Sequence, residues 1–227
     1  MTALRVPRLK VCGIVRPEDL VVCAELGVDA VGLNLWPESP RGRTVEALAD
    51  LLAEAGDPTG PMRVGVFVDP EPAQVAEARR RLRLDVVQYH GDRLPDGFAE
   101  LGPYVWVLRG AGDPSRLVVP DPPPAWILVD AHVPGYGGAG VVADWQAARR
   151  IVEWARPTPV VLAGGITPDN VRDAIAAVGP AGIDVASGAE VPGGPKGAKD
   201  RARVAALVEA CKVLGNVAGT HRERTSP

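Results

Sequence analysis

Three small groups of residues in this chain have the types and spacing to do chemistry. Lys10 and Cys12 alternate along an apolar run, so on a strand both side chains point the same way. An ammonium beside the thiol lowers its pKa and makes Cys12 a usable base or nucleophile. The alternative is that Cys12 simply fills a small space in the core. Asp130 ends the apolar run Trp126-Ile127-Leu128-Val129. A carboxylate there is costly unless it has a task or a partner. It reads as a general acid with a tuned pKa, or as a helix cap or loop anchor. The third group is Leu162-Ala163-Gly164-Gly165-Ile166-Thr167-Pro168. An apolar run ends in two glycines, with Thr167 placed as a helix N-cap and Pro168 at the first helical position. Glycines let backbone N–H groups approach a ligand, and a helix start favours negative charge, so this is a cradle for an anion. Gly182-Ile183-Asp184-Val185-Ala186-Ser187-Gly188 repeats the theme about twenty residues on.

Other candidates are weaker. Ser39-Pro40-Arg41 offers a guanidinium, which grips carboxylates and stacks on rings, or serves only as a surface cation. Asp130, His132 and His90 invite a metal reading. With three histidines in the chain, one of them His221 near its end, the donor set is too sparse, and no metal is expected. Arg79-Arg80-Arg81, with Glu77 one turn earlier, reads as a solvated helix face. Cys23 and Cys211 read as packing residues.

Positioning these groups takes a regular scaffold, and the chain supplies one. Apolar runs predict strands at Leu9–Gly13, Ala30–Asn34, Arg63–Val68, Asp85–Tyr89, Tyr104–Leu108, Trp126–Asp130, Val160–Ala163 and Ile183–Ala186. Helical patterns fall at Pro17–Leu26, Val45–Ala55, Pro72–Leu82, Val142–Ala155, Pro168–Ala177 and Arg201–Leu214. The stretches Leu94–Gly102 and Asp113–Pro124 read poorly as either. Continuous apolar strands suit a parallel sheet buried on both faces. Eight of them alternating with helices favour an α/β fold of one domain, a (β/α)₈ TIM barrel over residues 1–214. Residues 215–227 form a polar tail expected to be disordered. In such a barrel the chemistry sits where strands end, which selects Cys12, Asn34, Asp69, Gln88 with His90, Arg109, Asp130, Gly164 with Gly165, and Ser187. The two anion loops would then share one phosphate between the last two strands.

Bulk properties narrow the class further. At 227 residues, 46% hydrophobic, the chain can bury a full core. A net charge of −3 gives no bulk basic character for nucleic acid. No apolar stretch approaches the ~20 residues of a membrane span. Residues 1–8 lack the apolar segment of a signal peptide. Three cysteines at wide spacing suit a reducing cytosol, so a cytoplasmic protein is expected.

Taken in order, the motifs resemble one family, the phosphoribosylanthranilate isomerases of tryptophan biosynthesis. The matching pieces are Lys10-Val11-Cys12-Gly13-Ile14, Ser39-Pro40-Arg41, Val64-Gly65-Val66-Phe67-Val68-Asp69 and Val87-Gln88-Tyr89-His90-Gly91-Asp92. They continue with Leu128-Val129-Asp130-Ala131, Leu162-Ala163-Gly164-Gly165-Ile166, Asn170-Val171, Gly182 through Glu190, and Lys199-Asp200. The resemblance implies a cofactor-free Amadori rearrangement of N-(5′-phosphoribosyl)anthranilate to the 1-deoxyribulose 5-phosphate. It implies Asp130 as general acid, Cys12 as general base and Arg41 against the anthranilate. It also implies phosphate on the amides of Gly164, Gly165, Ser187 and Gly188. Lys10, Gln88, His90 and Asp184 are expected near the substrate, and a monomer and a homodimer are both open. The chain departs from the family in Gly32-Leu33-Asn34-Leu35-Trp36, which is less rich in phenylalanine, in Tyr89, and in Gly138-Ala139-Gly140, which lacks a threonine. These changes bear on substrate fit more than on reaction type.

Rival readings make different demands. The sugar isomerase of histidine biosynthesis requires an aspartate where Cys12 stands. A metal-dependent pentose-phosphate epimerase requires a fuller His/Asp set. An isomerase of a related N-riboside in a secondary pathway would keep the acid and base but change the loops. A non-catalytic phosphate-ligand barrel would bind esters without turnover and tolerate loss of Cys12.

Overall fold

In a computed structural model, residues 4–91, 94–109, 114–130 and 144–215 are described. Eight parallel strands close into a barrel in chain order, β1 (Leu9–Cys12), β2 (Ala30–Asn34), β3 (Met62–Val68), β4 (Val86–His90), β5 (Tyr104–Arg109), β6 (Trp126–Asp130), β7 (Val160–Leu162) and β8 (Gly182–Val185). β8 pairs back onto β1 through Lys10 and Asp184. The barrel expected from the sequence is therefore the fold.

Cross-strand register sorts the two faces of every strand. Lys10 sits opposite Ala30, Cys12 opposite Gly32 and Asn34 opposite Val66. The same row continues through Gln88, Val105, Trp126 and Leu128 to Val161 and Gly182. These residues point inward, and the apolar ones form an inner cluster of Ala30, Val64, Val86, Val105, Trp126, Leu128 and Val161. The opposite faces, with Val31, Val87, Ile127 and Ile183, pack under the helices in a second, larger cluster. Burial on both sides explains why the strands are apolar throughout rather than alternating.

Six α-helices are found among the described residues: α1 (Pro17–Glu25), α2 (Val45–Glu54), α3 (Pro72–Leu82), α4 (Trp145–Trp154), α5 (Val171–Val178) and α6 (Arg201–Cys211). Local chemistry accounts for their starts. Thr44, Asp144 and Asp200 cap α2, α4 and α6 by accepting from Ala47, Ala147 and Arg203 N–H. Proline occupies the first turn of α1 and α3, and Glu71 with Gln74 forms a capping box.

The boundaries correct several expectations. The two ambiguous stretches contain only short 3₁₀ turns, Phe98–Leu101 and Pro114–Arg116, where glycine and proline prevent a longer helix. β4 runs one residue further than expected and takes in His90, and β5 takes in Arg109. Helix α5 starts at Val171 with Asn170, not Thr167, at its N-cap. The Asn170 side chain explains the shift: its Oδ1 accepts from Thr167 N–H and its Nδ2 donates to the Gly165 carbonyl. That clamp holds Thr167 to Asn170 as a turn ahead of the helix. Arg79 is not part of a solvated face either, since it is half-buried and donates to the Leu101 carbonyl. Residues 131–143, with His132 and the glycine-rich stretch 134–140, lie outside the described residues, as do Asp92 and the tail beyond Gly215.

Candidate active site

Lys10 and Cys12 face the barrel interior together. Gly32 on β2 leaves them room, because a Cβ there would lie 2.7 Å from Cys12 Sγ and 3.2 Å from Lys10 Nζ. Lys10 is fully buried, and its ammonium donates to both oxygens of Asp184 at 3.0 Å. Burial pushes that ammonium down, but Asp184 and Cys12 outweigh it and hold it above its ordinary value. At Cys12 the balance differs from expectation. Burial raises the thiol more than Lys10 and Lys199 lower it, so its pKa lies above the ordinary range rather than below. Two charges already neutralise each other beside it, which weakens the pull of Lys10 on the sulfur.

The Lys10–Asp184 pair also matters for folding. Lys10→Met leaves a buried carboxylate without its partner and is expected to cost about 3–5 kcal/mol of stability, read from urea unfolding. Lys10→Met with Asp184→Leu should recover most of that loss. A cost confined to the single variant would identify the unpaired charge, rather than lost packing, as the cause.

Across the barrel stand Gln88 and His90, both on the inner row. Their Nε2 atoms are 2.7 Å apart. Gln88 is buried, and its Oε1 has no hydrogen-bond partner among the described residues. The imidazole is pushed down to about 3, first by burial and then by Lys10 and Arg109, so it is neutral at physiological pH. An unfolded histidine takes up its proton near 6.5 and the folded one does not. Between those values the unfolded state binds more protons, so His90 makes the fold less stable as pH falls from about 6.5 toward 3. His90→Gln is expected to narrow the gap in urea midpoint between pH 7 and pH 5. An unchanged gap would mean that the folded ring takes up its proton as the unfolded one does, and a widened gap that it is held charged.

Asp130 ends β6 on the inner row, with Arg109 of β5 directly opposite. Between β6 and β1 around the barrel lie β7 and β8, whose loops carry the glycines. Gly164 and Gly165 adopt φ of 94° and 64°, backbone that favours glycine. A Cβ on Gly188 would sit 1.8 Å from the Ile166 carbonyl oxygen, so the two loops are in direct contact. None of the backbone N–H groups of Gly164, Gly165, Ser187 and Gly188 is engaged by another described residue. An acceptor with several oxygens fits there, and a phosphate has them.

Arg41 is not the open cation the sequence suggested. It is buried, with Nε and Nη2 donating to the two oxygens of Glu190 at 2.5 and 3.1 Å. Its loop is pinned by Asn34, which donates to Ser39 Oγ and accepts from Trp36 N–H. Asn34 and Arg109 are legible in the sequence as strand ends but not as site residues, and Glu190 and Lys199 carry no local signal of a role, since their partners lie far away in the chain. A large cavity at the other end of the barrel, about 840 Å³, is lined by Arg8, Asp29, Asp57 and Arg63, whose charges pair with one another. Among the described residues no cluster of His, Cys, Asp and Glu could hold a metal ion, and no helix is long and apolar enough to cross a membrane.

The model of N-(5′-phosphoribosyl)anthranilate (PRA) isomerase matches residues 9–210. The chain belongs to the phosphoribosylanthranilate isomerase family. It is similar to N-(5′-phosphoribosyl)anthranilate isomerase of Thiobacillus denitrificans, 39% identical over 209 residues that cover 90% of this chain and 98% of the relative. The Myxococcus xanthus isomerase is 40% identical over 212 residues, covering 91% and 97%. Among solved structures, phosphoribosyl anthranilate isomerase from Thermotoga maritima superposes with a TM-score of 0.76 at 32% identity, covering 92% of this chain and all of that one. Another phosphoribosyl anthranilate isomerase, solved with reduced 1-(o-carboxyphenylamino)-1-deoxyribulose 5-phosphate, has a TM-score of 0.72 at 30% identity, covering 92% and 100%.

Proposed function

We infer that the chain is a phosphoribosylanthranilate isomerase of tryptophan biosynthesis. It converts N-(5′-phosphoribosyl)anthranilate to 1-(2-carboxyphenylamino)-1-deoxyribulose 5-phosphate, an aldose–ketose isomerisation. The reading rests on family membership over nearly the whole barrel. One geometric observation carries the assignment of roles. Cys12 and Asp130 face the interior from β1 and β6, and the paired glycine loops of β7 and β8 lie between those strands.

In the proposed mechanism the phosphate sits on the amides of Gly164, Gly165, Ser187 and Gly188. This fixes the sugar with one face toward each reacting group. Asp130 gives a proton to the ring oxygen as the nitrogen lone pair opens the furanose, leaving an iminium and the Asp130 carboxylate. The Cys12 thiolate then removes the proton from C2, and those electrons neutralise the iminium to give an enolamine. Tautomerisation yields the ketone. The acidity that an iminium lends to C2 means a thiolate is base enough. Lys10 stabilises the thiolate as it forms, held in place by Asp184. Arg41 meets the anthranilate, with Nη1 left over from its two bonds to Glu190. Gln88 and neutral His90 supply hydrogen bonds without a competing charge.

The test is turnover of freshly prepared N-(5′-phosphoribosyl)anthranilate, followed as loss of anthranilate fluorescence, with a chelator present. Turnover is expected. Binding of a phosphorylated product analogue without turnover would overturn the enzymatic reading in favour of a binding protein.

A further inference from the structure

Beside the residues given roles above lie two further buried charges, Glu190 and Lys199, that touch no reacting atom in that mechanism. Glu190 and Lys199 are both buried, and they face each other across an antiparallel bridge formed where the segment after β8 folds back. Bonds from Val191 N–H to the Ala198 carbonyl and from Asp200 N–H to the Ala189 carbonyl fix that fold-back. Lys199 has no exposed side-chain surface, and its ammonium spends its three protons on three acceptors, one at the end of β1 and two in the segment after β8. It donates to the Cys12 carbonyl at 2.8 Å, to the Ala186 carbonyl at 3.3 Å and to Glu190 Oε1 at 3.4 Å. Glu190 in turn takes the Nε and Nη2 of Arg41 in a forked grip. The Arg41 stem runs across the end of β1, since a Cβ on Gly13 would meet its Cδ at 2.4 Å.

Burying three charges is expensive, and apolar side chains would fill the same space at no such cost. The arrangement therefore calls for a reason beyond packing. Its geometry supplies one: Lys199 holds the carbonyl of the base itself, Glu190 holds the guanidinium, and the two are joined. Burial pushes the Glu190 carboxyl up, but Arg41 and Lys199 bring it below its ordinary value, so it remains charged. The ammonium of Lys199, by contrast, is held below its ordinary value by burial, with Glu190 opposing. Arg41 contributes to both directions, since it favours the Glu190 carboxylate and repels the Lys199 ammonium.

We propose that Glu190 and Lys199 are positioning residues for the isomerisation, setting the distance and angle between the Arg41 guanidinium and the Cys12 thiol. Glu190 acts through Arg41, leaving Nη1 as the group offered to the substrate's aromatic acid. Lys199 acts through the end of β1. The proposal rests on the reading of Arg41 and Cys12 given above. Two ends of one substrate are then registered by one rigid bridge, so a substrate lacking the carboxylate would lose alignment at the sugar as well as binding.

The experiment is a double-mutant cycle on KM and kcat with Arg41→Ala, Glu190→Gln and the combination, each checked for its melting temperature. Arg41→Ala is expected to raise KM about 10-fold or more, the scale of one charge-assisted bond. Glu190→Gln is expected to raise KM several-fold and to lower kcat as the guanidinium and the thiol lose register, and the combined variant to be no worse than Arg41→Ala alone. Additive KM effects, or an unchanged KM in a folded Glu190→Gln protein, would overturn the role of Glu190. Should Glu190→Gln not fold, Glu190→Asp keeps the charge, shortens the reach, and is read the same way. Lys199→Met is expected to lower kcat and to move the ascending limb of kcat/KM to higher pH, with Lys199→Arg partly restoring both. A folded Lys199→Met protein with an unmoved limb and unchanged kcat would overturn that half. An Arg41→Ala protein with normal KM would instead remove the assignment of Arg41 on which the proposal rests.

Discussion

Asp130→Asn is expected to reduce turnover by roughly 100- to 10,000-fold, the span attributed to a general acid. The substitution keeps the size and planarity of the side chain and removes the acidic proton. Opening the furanose without protonating its oxygen would expel an alkoxide, and an amide cannot prevent that. Asp130 ends β6 and is only half-buried, so an asparagine is accommodated at the strand terminus. The fold and the glycine loops after β7 and β8 stay as they are. Affinity for a reduced, phosphorylated product analogue should therefore fall little while kcat collapses. Turnover and analogue binding measured on one preparation separate the two. Substantial turnover by the asparagine variant would remove Asp130 as the acid.

Cys12→Ser should cost at least about 100-fold in kcat, with a change of shape in the pH profile as its signature. Burial holds the free thiol above its ordinary pKa despite Lys10 and Lys199. Only the thiolate is a base, so below that raised pKa each pH unit multiplies the reactive form tenfold. In the wild-type enzyme kcat/KM is therefore expected to climb about tenfold per unit through neutrality and to flatten on the alkaline side. The serine hydroxyl does not ionise in this range, so the variant should lose the climb along with the rate. A serine variant with the wild-type rate and slope would return Cys12 to a packing role.

Both predicted reacting groups are present, and the departures from the family pattern fall elsewhere. Tyr89, which stands in for an aliphatic residue, faces the helix layer and is buried there. Its phenol Oη has no partner among the described residues, and burial raises its pKa. The substitution therefore affects the packing behind β4 rather than the surface that meets substrate.

Much of this molecule is written locally in its chain. Strands buried on both faces must be apolar throughout, and helix starts need Thr44, Asp144 or Asp200 to satisfy their free N–H groups. Those signals act over a few residues, so the eight strands, the six helices and the strand-end location of Cys12, Asp130 and the glycine loops are legible without coordinates. The boundary at α5 was misread because an N-cap threonine and a side-chain clamp from Asn170 look alike in sequence. What the sequence alone could not decide is which charges meet. Lys10 reaches Asp184 across 174 residues, Arg41 reaches Glu190 across 149, and Lys199 reaches the Cys12 carbonyl across 187. Only closure of the barrel between β8 and β1 brings these partners together. The direction of the Cys12 shift depends on that closure too, because a lysine neutralised by a carboxylate acts on a thiol far more weakly than a lysine alone. Local physics determined the scaffold and which residue types stand at its mouth; the long-range pairing of buried charges, set by tertiary structure, determined how those residues are poised.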